Sequence, residues 1–297
     1  MARTVLCGRC PLLQIGYFVH VPLRPRGVEV SYKQKHALSV TSLFALIVMA
    51  WVGTPPRVVA DEGQAKSLMK AMTDYVASQQ TISFDYDSNL EVVTNEQQKL
   101  AVAASGTVSL ARPDKIRASR SGGFADVETT FDGRTLNILG KNVNAYLQVE
   151  SPGSIDQLID TLRKKYDRPL PAADLLLTNA YDELMADVVN VKDLGSGVIG
   201  GRECDHLAFR SKEVDWQIWI AHGDRPYPCR YVITSKRLTD GPQYSIQITN
   251  WKTGGDVAKS DYRFAAPAGA RRVDVTELSK LKGMGELPSN FVLGDTR

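Results

Sequence analysis

The sequence predicts an α+β chain in which antiparallel strands dominate and join into one highly curved sheet. Three observations predict it. About ten segments alternate apolar and polar residues with the period of two that marks a strand. Two stretches, Glu62 to Gln80 and Ser154 to Val188, carry the 3.6-residue period of helices instead. Turn pairs such as Asp132-Gly133, which tolerate positive φ, separate neighbouring strands. An open sheet of that many strands tends to coil or close, which favours one curved sheet over two.

Residues 1–60 read as a leader. Lys33, Lys35 and His36 form a positive flank, Ala37 to Val52 is an apolar run, and Pro55-Pro56 precedes Val58-Val59-Ala60. That is the order of a secretory signal, with small residues before a cleavage site after Ala60. A membrane anchor is the competing reading, since the run falls just short of the ~18 residues that span a bilayer. Cleavage leaves no stable span. The pair Cys7 and Cys10 lies ahead of the signal and leaves with it. Translation is expected to start near Val28 or Val30, and the mature protein is expected in the periplasm.

The mature chain divides into a single domain over residues 61–275 and a tail over 276–297 with little periodicity. Its first helix is set by Ala65, Leu68, Met69, Met72 and Val76, which share one face. Ile82, Phe84, Tyr86, Leu90 and Val92 then alternate with polar residues, and Leu100 to Leu110 repeats the pattern. Shorter strands over Lys115 to Val149 complete an antiparallel meander. Ser154 with Gln157 fits a capping box, and Ile155, Leu158, Ile159, Leu162 and Tyr166 form an apolar face. Arg168 to Pro171 breaks that helix, and Ala172 to Val188 resumes it. A helical insertion between two meanders must lie over a sheet face, because its apolar side needs cover. It is the expected lid. A second meander follows from Val189 to Trp251, with a last strand expected over Ser260 to Phe264.

Charge excludes one class of partner. The chain carries +3 overall, but residues 1–60 hold seven of its 36 basic residues and one of its 33 acidic ones. The remainder, with 29 basic and 32 acidic, is slightly acidic, so nothing supports nucleic-acid binding.

Chemistry-bearing residues are few. Cys204 and Cys229 are the two cysteines left in an oxidising compartment, so a disulfide is the first reading. If the strand Val214 to Ala221 lies between theirs, their Cα atoms stand ~10 Å apart, beyond bridging range, and two buried thiols become the alternative. Cys204, His206 and Asp205 could hint at a metal, but the close cysteine pairs of zinc sites are missing. Asp205 and His206 are consecutive on a strand and point to opposite faces, so they form no dyad. No Gly-x-Ser-x-Gly elbow, His-Glu-x-x-His or phosphate-cradling glycine loop occurs. A hydrolase would have to use His206 or His222. No cofactor is expected. Trp216 goes inward with Ile218 and Ile220, and Trp219 outward.

The runs Glu203 to Arg210, Asp215 to Ile220 and Pro228 to Thr234 resemble a family of predicted periplasmic proteins, domain of unknown function 2092, over Gln64 to Val275. That family is similar to the lipoprotein-carrier superfamily of the LolA and LolB type. The resemblance implies a strongly curved, unclosed antiparallel barrel with helices over its hollow, and it brings no catalytic residues.

The function expected is non-catalytic binding of a lipid, a lipoprotein acyl chain or another apolar ligand between sheet and lid. Each buried methylene contributes ~0.8 kcal/mol without any polar contact. Leu158, Ile159, Leu162, Leu176, Leu184 and Met185 are the lid positions, with Trp216 and Tyr244 on the sheet. The competing reading is that these residues close a dry core. An envelope accessory protein that binds a protein partner is the alternative function.

Overall fold

The computed structural model describes residues 62–94, 96–166, 172–238 and 240–274, with the side chains of 165 and 166 excepted. The leader and its cleavage site, Cys7 and Cys10, the Arg168 to Pro171 break and the 276–297 tail lie outside the described residues, as does the Tyr166 side chain.

Helix α1 (Glu62–Ser78) precedes a first run of strands: β1 (Thr81–Val93), β2 (Lys99–Ala111), β3 (Lys115–Gly122), β4 (Asp126–Phe131), β5 (Thr135–Gly140) and β6 (Ala145–Glu150). Helices α2 (Ile155–Tyr166) and α3 (Ala180–Met185) follow. A second run comprises β7 (Val188–Ile199), β8 (Arg202–Ser211), β9 (Val214–Ala221), β10 (Pro228–Ser235) and β11 (Gln243–Thr253), and β12 (Arg271–Arg272) ends the described chain. Among the described residues the twelve strands form one sheet in the order β12-β6-β5-β4-β3-β2-β1-β11-β10-β9-β8-β7. Each run is an antiparallel meander, and β1 joins them by pairing with β11. The short β12 adds to β6 in parallel.

This order explains why the helices sit where they do. β6 and β7 belong to opposite sides of the sheet, so the residues between them must cross it. Their apolar side chains settle on one face. Ile155 and Ile159 of α2, with Leu175 and Leu176, join a core that also holds Met69, Met72 and Val76 of α1 and Leu207, Trp216 and Ile218 of the sheet. Leu158 packs separately on Phe131 and Leu136 of β4 and β5. The start of α2 is fixed by the expected capping box: Ser154 N–H donates to Gln157 Oε1 at 2.8 Å, and Gln157 N–H donates to Ser154 Oγ at 3.3 Å. Ser154→Ala is expected to cost about 1 kcal/mol, read as a shift of the denaturant midpoint.

Two expected elements differ. Ala172 to Val188 is not one resumed helix. Leu175, Leu176 and Leu177 are all buried, which no single helix face allows, and the chain forms a 3₁₀ turn over Ala173–Leu176 before the short α3. Ser260 to Phe264 is not a strand. It is part of a strap that crosses the outer face, away from the helices. Ser109 Oγ on β2 meets Ser260 Oγ at 2.8 Å, Arg117 on β3 donates to the Asp261 carbonyl at 2.7 Å, and Phe264 packs on Tyr146 of β6. The strap ends by adding β12 to the β6 edge. The opposite edge, β7, carries two bulges, between Val188 and Asn190 and between Asp193 and Ser196, which blunt it against strand addition.

Candidate functional site

Register fixes which side chains face the helices. Ile82, Phe84 and Tyr86 of β1 lie on that inner face, and the ladder carries it sideways: Tyr86 opposes Gly106 on β2, Gly106 opposes Arg120 on β3, and Arg120 opposes Val127 on β4. Gly106 is required here. Tyr86 reaches across it to donate from Oη to the Ser119 carbonyl at 3.0 Å, and a Cβ at 106 would stand 2.7 Å from Tyr86 Oη.

The eight positions expected to hold a ligand divide into two groups. Leu158, Ile159, Leu176 and Trp216 are buried as parts of the packed core. Trp216 stacks on Phe209 at 3.8 Å and meets Tyr231 edge-on. Leu162 is half-buried beside the Phe131 cluster, and Leu184, Met185 and Tyr244 are half-buried against the main core. The lid is therefore closed down on the sheet where the first group sits.

Polar bonds along the rim hold it there. Arg112, only 6% exposed, donates from Nη2 to the Leu176 carbonyl at 2.8 Å and from Nε to the Gln79 carbonyl at 3.2 Å, with Asp156 4.0 Å away. Asp156 in turn accepts from the Thr178 N–H and hydroxyl. Arg163 on α2 pairs with Asp174 at 2.7 Å and Glu183 at 3.4 Å. Burial raises the Asp174 carboxyl, and Arg163 opposes that rise.

Beyond the edge of α2 the inner face is not sealed. Val108, Ala118, Val127, Thr129 and Ile138 share it and are only half-buried. So is Arg120. Tyr86 and Tyr244 flank this area with their hydroxyls intact, because burial raises the Tyr86 phenol and pushes Tyr244 up to about 12. The sequence reading placed the site under the lid and missed this neighbouring surface. Its signal was available in the alternation of β3, where Arg120 is in phase with Ile116 and Ala118.

The cysteines behave differently from expectation in one respect. β9 does lie between β8 and β10, yet Cys204 and Cys229 stand in contact as free thiols. Cys204 opposes Ala221, the last residue of β9, and the β10 ladder skips Cys229 in a bulge between Pro228 and Arg230. The bulge turns Cys229 over small Ala221 toward Cys204. Outward-facing Trp219 is covered as well, stacked on His206 at 4.0 Å with the Arg230 guanidinium 5.6 Å from its ring.

Asp205 does not partner His206. It meets His222, beyond the end of β9, at 2.7 Å on the protein surface. Among the described residues no group of three or more His, Cys, Asp or Glu is placed to hold a metal ion. A recess of about 180 Å³ lies at the β1–β11 bulge, lined by Ser83, Asp85, Thr107, Ser109, Asn250 and Lys252. Asn250 donates to Asp85 within it at 2.6 Å. No helix among the described residues is long and apolar enough to cross a membrane.

Residues 65–276 match the model of a family described as "Predicted periplasmic protein (DUF2092)". No curated protein matches the chain. Among solved structures, it is similar to an uncharacterized conserved protein from Thermus thermophilus, with 10% identity, TM-score 0.40, and 71% of this chain and 98% of that one covered. It is similar to the lipoprotein LppX of Mycobacterium tuberculosis, with 12% identity, TM-score 0.41, and coverage of 64% and 96%. It is also similar to MucB in the MucA/MucB complex of Pseudomonas aeruginosa, with 15% identity, TM-score 0.39, and coverage of 68% and 62%.

Proposed function

The chain belongs to the DUF2092 family of predicted periplasmic proteins, and from that premise we propose that it is a non-catalytic periplasmic binding protein for a lipid, an acyl chain or a similar apolar ligand. The ligand lies between the lid and the inner face of the open antiparallel sheet. One observation carries this reading: the inner face continues, half-buried and apolar apart from Thr129 and Arg120, from the closed lid across β2 to β5. A chain of ten methylenes laid there gains on the order of 8 kcal/mol before ordering costs, enough for useful affinity without a catalytic or polar site. Leu162 stands at the border between covered and open surface, and Leu158, Ile159, Leu176, Leu184 and Met185 come into play as the lid lifts.

Native mass spectrometry and lipid extraction of protein purified from the periplasm test this. Bound lipid, or uptake of a fluorescent fatty acid that Leu162→Asp weakens, is the expected result. A clean apo mass with no uptake removes the proposal and leaves the lid as the cover of a dry core.

A protein partner in the envelope is the second reading, favoured by β7. Val189 and Val198 are 74% and 69% exposed there, and Leu194 is exposed beside them. The two bulges direct such a partner to these side chains and away from the strand's backbone. Aspartate at Val189 and Val198 is expected to abolish capture of the partner and leave fatty-acid uptake unchanged.

A further inference from the structure

Arg120 is out of place where it stands. On the inner face of β1 to β6 and β9 to β11, the registers leave one charged side chain among the described residues, and it is Arg120. Its neighbours there are apolar or small: Val127 on β4, Gly106 on β2, and Ala118 along its own strand. Arg117, on the outer face of the same strand, illustrates how this protein treats an arginine it uses for structure, pairing it with Glu128 at 2.6 Å and with the Asp261 carbonyl. Arg120 has no carboxylate or carbonyl partner among the described residues. Its guanidinium nitrogens are not among the buried unpaired atoms, so its five donors are open to water and free to take an anion.

We infer that Arg120 is a headgroup site, and that the ligand is an amphiphile with one anionic oxygen head, carboxylate or phosphate, whose apolar chain runs over Ala118 and Ile138 toward Leu162. Tyr86 and Tyr244 border the head. Both phenols lie close enough for the Arg120 charge to oppose the rise that burial imposes on them. The planar guanidinium suits either head, because it offers two parallel N–H donors to two oxygens. Neutral lipids lack that contact and are held by the chain alone.

This inference rests on the apolar-ligand reading, so the test separates the two. Affinities of the purified protein are measured for hexadecanoate, for hexadecanol, which has the same chain and a neutral head, and for a lysophospholipid with an anionic phosphate head. Hexadecanoate or the lysophospholipid should bind roughly tenfold to a hundredfold more tightly than hexadecanol. Their ranking tells which head is preferred. Arg120→Gln should erase that advantage and leave hexadecanol binding unchanged, which also reports that the variant is folded, and Arg120→Lys should restore part of it. Equal binding of all three ligands, or an advantage that survives Arg120→Gln, overturns the headgroup site while the apolar-ligand reading stands. Failure of all three to bind overturns both.

Discussion

Arg112→Ala is expected to destabilise the protein by about 2–4 kcal/mol. The guanidinium sits where the end of β2 meets the lid, and its two donated bonds tie the Gln79 carbonyl, just after α1, to the Leu176 carbonyl in the 3₁₀ turn. With alanine in its place, both carbonyls lose their donor and Asp156 loses its nearby positive charge. Burial pulls the Arg112 pKa down and Asp156 pulls it back, but a guanidinium starts so high that it stays charged in the protein. Arg112→Lys keeps the charge yet cannot span both carbonyls from one ammonium, so an intermediate loss is expected. Denaturant midpoints measure the stability change. Limited proteolysis across residues 151–187 locates it, since a lid released at this corner is cut faster. If the lid gates an apolar ligand, the same variant takes up fatty acid faster than wild type. Unchanged proteolysis and unchanged midpoint would mean that the lid is held by its apolar contacts alone.

The strands were legible where the pattern is local. Ile82, Phe84 and Tyr86 alternate with polar residues and do face the core. At Asp132-Gly133 the Asp132 carboxylate accepts from the Arg134 and Thr135 N–H groups, as a turn aspartate should. Alternation is a property of any extended segment, however, and does not say what the segment lies beside. Tyr262 and Phe264 alternate as strand residues would, yet they cross the sheet as a strap, because their partners Ser109 and Tyr146 are more than a hundred residues away. The same limit hid the lid clamp, which joins Arg112 to Leu176, and the surface pair of Asp205 with His222. Strand periodicity correctly separates Asp205 from His206, but it cannot announce a partner beyond the next strand. Arg120 was legible by phase, as a charge in step with Ile116 and Ala118 of β3. What the sequence lacked was the register that places Gly106, Tyr86 and Val127 around it.

Cys204 and Cys229 are expected to be joined by a disulfide when the protein is made in the periplasm. Both thiols are buried beneath Tyr227 and Trp219, and they touch because the Cys229 bulge overcomes the width of the intervening strand. In the oxidation each sulfur gives up its hydrogen, the S–S bond forms, and two electrons pass to a dithiol–disulfide oxidant of that compartment. Timing follows from acidity. Thiol–disulfide exchange needs a thiolate, and burial raises the Cys204 thiol and pushes Cys229 up to about 12, so the folded pair reacts poorly. Oxidation must precede the closing of Tyr227, which stacks on Trp251 at 5.1 Å. Once closed, the bond is equally shielded from reductants. A loop of about 25 residues closed in this way contributes about 3.5 kcal/mol, or roughly 7–14 °C in Tm. Alkylation in denaturant, read peptide by peptide, should find both cysteines blocked before reduction and free after it, and Cys204→Ala with Cys229→Ala should lower Tm by that amount. Free thiols at both positions before reduction would show that the contact is a pair of inert core cysteines, with the second meander held at this end by Tyr227, Trp219 and Ala221 alone.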